Sequence, residues 1–196
     1  MKKAYLIILA VITSISFGAV NAQTYKAQAD KTVIYWHGEK VGGEHDGSIK
    51  LKSGELVMSG NKPVSGYVVI DMTTITNSDI SNDGMRERLV NHLKSDDFFG
   101  VAKFPEARFD ISGSEVSNGG SIKLKGTITI KGISKPMEFV SSMESADGSL
   151  VFKGHIEIDR TLFDVRYGSK KFFDNIADSA IDDIFTLDYE LFLSKE

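Results

Sequence analysis

The 196-residue chain has no cysteine, only three prolines and a single tryptophan. Without a thiol there is no disulfide framework, no thiolate nucleophile and no lipid-modified cysteine, so stability must come from burial and strand pairing. After residue 22 there is no long apolar run of the kind a spanning helix needs, about 20 residues. Pro63, Pro105 and Pro136 each stand near the start of an apolar-alternating run, which suits strand starts or edges because proline donates nothing to a ladder. Clustered cations are also lacking. Lys and Arg number 23 against 27 Asp and Glu, a formal net charge of −4, which is poor for gripping phosphate backbones and excludes nucleic acid as an expected partner.

What is present begins with a leader. "MKKAYLIILAVITSISFGAVNAQ" has two lysines, an apolar run and small residues ending in Val20-Asn21-Ala22. That pattern predicts a secretory signal peptide over residues 1–22, cleaved before Gln23. Thr13, Ser14 and Ser16 interrupt the run and argue against a membrane anchor. Residues 23–196 are then one domain, soluble and periplasmic or secreted, and loss of Lys2 and Lys3 makes it more acidic still.

Eighteen glycines, mostly between runs of period-2 alternation, punctuate the chain as an antiparallel meander. Strands are predicted over 31–40, 64–72, 105–117, 120–132, 135–145, 149–160 and 183–195. A hairpin is predicted over 46–60, turning at Ser53-Gly54, with further tight turns at Asn118-Gly119 and Asp147-Gly148. This is the strand load of a barrel or sandwich. "NDGMRERLVNHLKSDDFF" (Asn82–Phe99) breaks the pattern with Met85, Leu89 and Leu93 on one helical face and Asp83 as a candidate N-cap. "RYGSKKFFDNIADSAIDD" (Arg166–Asp183) spaces Phe172, Phe173, Ile176 and Ala180 as a second short helix would.

The consistent inward phase is Ile122, Leu124, Ile128 and Ile130; Met137, Phe139 and Met143; Leu150, Phe152, Ile156 and Ile158; and Phe185, Leu187, Tyr189 and Leu191. Polar residues oppose them, as in a curved sheet with one wet face. Closure removes exposed edges, and an eight-stranded closed sheet is either filled by its own side chains or holds one small ligand. Gly126, Gly154 and Ser141 share the inward phase and either leave room or mark bends in the wall.

Three stretches resemble the YceI-like family of exported proteins. "HLKSDDFFGVAKFPEARF" (His92–Phe109) is similar to its helix-to-strand signature, and "LKGTITIKGISKPMEF" (Leu124–Phe139) to its G-x-L-T-I-x-G-x-T-K-P signature. "IDRTLFDVRYGS" (Ile158–Ser169) resembles its Arg-x-x-Phe-Gly segment, with Asp164 where glycine is usual. The resemblance implies an extended, antiparallel, lipocalin-like β-barrel of about eight strands with a short helix at one end. It also implies a non-enzymatic role, binding a polyisoprenoid, isoprenoid quinone or similar long-chain lipid, with no cofactor. On that reading Ile34, Trp36, Ile128, Met137, Phe139, Phe152, Ile156, Phe185, Leu187 and Tyr189 line the lumen. Arg88, on the helix, and Arg160, at a strand end, are candidate head-group anchors, with ordinary surface cations or structural ion pairs as the alternative. A second copy of the chain and a transient membrane contact are candidate partners.

Two rival readings stand beside it. "HGEKVGGEHDG" (His37–Gly47) gathers His37, Glu39, Glu44, His45 and Asp46, so an enzyme acting on a hydrophobic substrate at His37 and His45 is one. The histidines lie eight apart, matching no standard metal spacing, and the expected reading is a polar hairpin tip without metal. Asp174, Asp178, Asp182 and Asp183 lack the alternation of a calcium loop and read as a solvated helix face. The other rival is a filled barrel acting through its surface as a stress or interaction protein.

Overall fold

The computed structural model describes residues 22–196 apart from 118, 147 and 177. Residues 1–21 of the candidate leader, and the first residues of the Asn118-Gly119 and Asp147-Gly148 turns, lie outside the described residues. The strands are β1 (Ala22–Ala27), β2 (Val33–Lys40), β3 (Gly43–Ser59), β4 (Lys62–Asp71), β5 (Glu106–Val116), β6 (Ile122–Ile130), β7 (Ile133–Ala146), β8 (Ser149–Asp159) and β9 (Ile181–Lys195), with one helix, α1 (Asp83–Lys94). Short 3₁₀ turns follow β4 (Met72–Thr74) and β8 (Arg160–Phe163).

All pairings are antiparallel. β3 to β9 form an unbroken meander, and the sheet closes because β9 pairs back through β2 and β1 to β3. β1 lies between Glu55–Ser59 of β3 and Leu193–Lys195 of β9. β2 lies between Gly43–Ile49 of β3 and Ile181–Glu190 of β9. The two short strands therefore share one strand position, and nine strands make the eight-position closed barrel that the alternation predicts. Closure leaves no continuous edge for another chain to pair with.

Every residue of the predicted inward phase is buried in, or packed against, one of two apolar clusters stacked along the barrel. One, around Leu56, Met58, Ile122, Phe152 and Leu193, closes the far end. The other, around Ile49, Met72, Ile75, Val101 and Ile158, sits under α1.

Several local expectations are corrected. Ser53-Gly54 is not a turn: β3 runs unbroken, and the irregularity between Leu51 and Ser53 is a bulge. Its effect is visible in the phase, since Gly47, Ile49 and Leu51 are buried before it and Gly54, Leu56 and Met58 after it. One extra residue moves the inward set from odd to even positions, which in a sequence mimics two strands. The N-cap of α1 is Asn82, whose Oδ1 accepts from the Met85 amide at 3.0 Å, not Asp83. Met85 is 65% exposed, so only Leu89 and Leu93 of its apolar face turn inward. No helix forms among the described residues of 166–180; Gly168 and Asn175 take left-handed φ values of 66° and 61°, which break a right-handed coil. β1 matches no predicted strand, because only Tyr25 of its six residues is buried.

The small inward residues do not create the space inside the barrel. A Cβ on Gly126 would lie 2.1 Å from the Asp110 carbonyl oxygen and 2.8 Å from Phe109 Cζ, so the glycine permits a close approach of β5. A Cβ on Gly154 would meet the Tyr189 ring. Because the obstruction at Gly126 is backbone, Gly126→Ala is expected to destabilise the fold by about 1–3 kcal/mol, read as a lower urea midpoint with unchanged slope.

Candidate functional site

Inside these clusters the barrel is not filled. A cavity of about 550 Å³ runs inside it, with an almost wholly apolar wall, a volume typical of small-molecule sites. All ten residues predicted for the lumen line it: Ile34 and Trp36 from β2, Ile128 from β6, Met137 and Phe139 from β7, Phe152 and Ile156 from β8, and Phe185, Leu187 and Tyr189 from β9. Period-2 geometry brings them together, since alternate residues of adjacent strands face one side and the registers Trp36–Leu187 and Leu187–Ile156 hold three strands level.

The α1 end is a lid of aromatic rings. Phe99 meets Phe185 edge-on at 6.0 Å, and His92 meets Phe98 at 4.9 Å and Tyr167 at 4.6 Å. Leu89, Leu93, Phe98, Phe99 and Tyr167 join the lining there, none of them among the predicted lumen residues. Leu89 and Leu93 follow from the helical face, whereas Phe98 and Phe99 belong to the "DFF" of the first signature, which has no strand or helix period and so points nowhere by phase. Glu39, Lys40, Val41, Asp178 and Ser179 ring the rim on the same side.

A strap, residues 75–80, fixes one wall. The Thr76 amide donates to the Ser48 carbonyl and the Ser78 amide to the Asp46 carbonyl, both at 2.9 Å. Trp36 Nε1 donates to the Thr76 carbonyl at 2.9 Å, which holds the indole against the lumen. Gly47 admits this contact, because a Cβ there would sit 2.0 Å from the Thr76 oxygen. Asp79 anchors the strap: it accepts from the Asp46 amide at 2.9 Å, contacts His45 Nδ1 at 2.8 Å and accepts from the Asn77 side chain. Burial pushes its carboxyl upward, but these hydrogen bonds outweigh burial and hold the pKa down at about 2. A depressed folded value adds stability above the unfolded carboxylate range, about 3.9, and that stability is lost as pH falls through about 2. Asp79→Asn is therefore expected to flatten the loss of stability between about pH 4 and pH 2, measured by urea unfolding across that range.

Neither predicted anchor offers a free donor to the cavity. Arg88 is exposed on α1 and does not line the cavity. Arg160 touches the cavity but is 3% exposed, and its guanidinium donates to the carbonyls of Asp182 (2.8 Å), Val165 (2.9 Å), Tyr167 (2.8 Å) and Ile181 (3.0 Å). Asp183 Oδ1 lies 3.6 Å away. Burial lowers the Arg160 pKa and the three nearby aspartates oppose it. The residue ties the 3₁₀ turn, the 165–167 segment and the start of β9 into one piece.

His37 and His45 do not converge. His37 stands opposite Asp46 and Gly38 opposite His45, so the two imidazoles point to opposite faces of the sheet. His45 lines the cavity, while His37 lies outside with Nδ1 2.7 Å from Asp46 and Nε2 3.4 Å from Glu39. The Asp46 contact raises the His37 pKa against the effect of partial burial. Among the described residues no three His, Asp or Glu side chains gather as a metal site. Of the four late aspartates, Asp178 and Asp182 line the cavity and Asp183 faces Arg160, not one helix face.

The comparisons with known proteins agree with this geometry. The YceI-like domain model matches residues 25–192. The chain is 29% identical over 143 residues to a UPF0312 protein of Pseudomonas fluorescens, covering 71% of this chain and 72% of that one. It is 37% identical over 91 residues to Protein YceI of Salmonella arizonae, covering 46% and 44%. Among solved structures, BcnA of Burkholderia cenocepacia superposes with TM-score 0.69 at 18% identity, covering 85% of this chain and 98% of that one. A polyisoprenoid binding domain from Saccharophagus degradans superposes with TM-score 0.64 at 13% identity, covering 89% and 99%. Asp164, where the family resemblance expects glycine, has φ 58° and takes the left-handed conformation itself. The chain belongs to the YceI-like family.

Proposed function

We propose that the protein is a non-catalytic carrier that holds one long apolar lipid in its barrel, a polyisoprenoid, an isoprenoid quinone or a fatty-acid-like chain. The observation that carries this reading is the unfilled, apolar 550 Å³ lumen inside a closed wall. Moving an alkyl chain from water into such a space gains about 0.8 kcal/mol per buried CH2. The neighbour described as a polyisoprenoid binding domain supports the lipid class. The leader supports a periplasmic or secreted setting, where a long-chain lipid needs shielding from water between membranes, and loading implies a transient membrane contact. The opposed faces of His37 and His45 count against a shared catalytic site there, and the open lumen counts against a filled barrel. Native mass spectrometry of protein purified without detergent tests the reading. An added mass that organic solvent extracts is expected; a bare chain mass that takes up no isoprenoid or fatty-acid probe overturns it.

A further inference from the structure

The two ends of the barrel present different surfaces. Residues 60–61, 117–121 and 147–148 are short connections at the far end, while 41–42, 72–105, 131–132 and 160–180 join strands at the α1 end. Eleven large apolar side chains are exposed among the described residues, and six of them belong to the α1-end connections: Val41, Met85, Leu162, Tyr167, Phe172 and Phe173. None of the eleven belongs to the far-end connections.

Three of the six fall in one stretch, "RYGSKKFF" (Arg166–Phe173), which carries Arg166, Lys170 and Lys171 and no acid. Its backbone is pinned from below. Ser169 is fully buried, and its carbonyl accepts from the Phe172 and Phe173 amides at 3.1 Å each. The Ile181 amide donates to the Gly168 carbonyl at 2.8 Å. The rings stay outside all the same: Phe172 is 44% exposed and Phe173 48%. Cations stand beside them. The Arg166 guanidinium lies 4.8 Å from the centre of the Phe172 ring, and Lys170 is exposed. Arg166 also meets Asp164 at 2.6 Å, and Lys171 meets Asp159 at 2.8 Å.

An exposed apolar patch rimmed by charge marks a surface for a protein or a membrane. The lumen decides between them. Val41 and Tyr167 line the cavity and are also exposed, so its apolar wall continues outward onto this face. A protein seated there would cap that exit, whereas a bilayer would extend it and spare an alkyl chain from crossing water. Aromatic rings beside Arg and Lys suit the interface, where the rings reach the acyl boundary and the cations stay among phosphates. We infer that Arg166–Phe173 docks the barrel mouth on a phospholipid bilayer, with Phe172 and Phe173 entering the acyl boundary. This rests on the carrier reading and adds the surface through which the lumen loads. The formal net charge of −4, with Asp164 and Asp174 flanking the segment, keeps the attachment weak enough to release.

The test is co-sedimentation with vesicles of phosphatidylcholine and a minor share of phosphatidylglycerol. It compares the wild type, the double variant Phe172→Ser with Phe173→Ser, and Val140→Ser, which removes an exposed apolar side chain from the outer wall of β7. The wild type is expected to sediment with the vesicles, and the double variant to lose at least about tenfold in partition, the effect of withdrawing two half-exposed rings from the acyl boundary. Val140→Ser is expected to behave as the wild type. All three are expected to melt alike and to take up a short prenol from solution alike. A double variant that sediments like the wild type would overturn the inference, as would an equal loss in Val140→Ser. A wild-type dimer that the double variant dissolves would assign the rings to a second copy of the chain and overturn it too. If the prenol enters but no vesicle is bound, only the docking face falls. If vesicles are bound through the two rings but no prenol enters, the carrier reading falls and the docking face stands.

Discussion

Replacing Arg160 by alanine is expected to destabilise the protein by about 4 kcal/mol, within the range for breaking buried charged contacts, and to lower Tm by about 10 °C. The side chain is 3% exposed and donates to four backbone carbonyls from two segments, 165–167 and 181–182. Its removal leaves those carbonyls without partners in a space that excludes water, and leaves Asp183 facing no cation. Arg160→Lys is expected to be nearly as harmful, since one ammonium cannot span the fork that reaches Val165, Tyr167, Ile181 and Asp182 together. Urea unfolding and calorimetry on the purified protein measure this. A loss below about 1 kcal/mol would mean the carbonyls find water and the clamp is not structural.

Ile156→Trp is expected to abolish most ligand uptake, about 100-fold, while leaving the fold intact. Ile156 faces the lumen level with Leu187 and Trp36, so a larger ring there occupies space that an alkyl chain would use. Excluding about four methylenes at about 0.8 kcal/mol each removes close to 3 kcal/mol of binding. The same ring in a packed core would strain it, but here it enters a void. The matched outward change, Glu157→Trp on the exposed neighbour, is expected to leave uptake unchanged. Uptake of a radiolabelled isoprenoid, alongside thermal melting, separates blocking from unfolding.

The barrel and its inner face were legible because period-2 alternation is a local signal that survives translation into a curved sheet. Ile122 to Ile130, Leu150 to Ile158 and Phe185 to Leu191 all landed inside. Where a local rule was broken, the sequence misled. The bulge at Ser53 shifts phase by one residue, and a Ser-Gly pair at that point looks like the turn that would also shift it. Phe172 and Phe173 carry helical spacing, yet Gly168 and Asn175 deny the backbone a helix, and both rings are exposed. The site divided in the same way. Wall residues follow from phase, but the lid formed by Phe98, Phe99, His92 and Tyr167 depends on how an aperiodic segment folds back over the barrel mouth. Arg160 read as a rim cation because charge alone does not reveal four carbonyls converging from residues 165 to 182.

Trp36 offers the most direct measurement of whether the hollow admits an alkyl chain. It is the only tryptophan in the chain, it lines the cavity, and its indole is pinned to Thr76. Titration with a brominated isoprenoid or fatty chain places a quencher within reach of the ring only if the chain enters the barrel. The expected result is saturable quenching at one chain per protein, reversed by an unbrominated competitor. Emission that stays constant through the titration, or declines linearly without saturating, would contradict occupancy of the lumen.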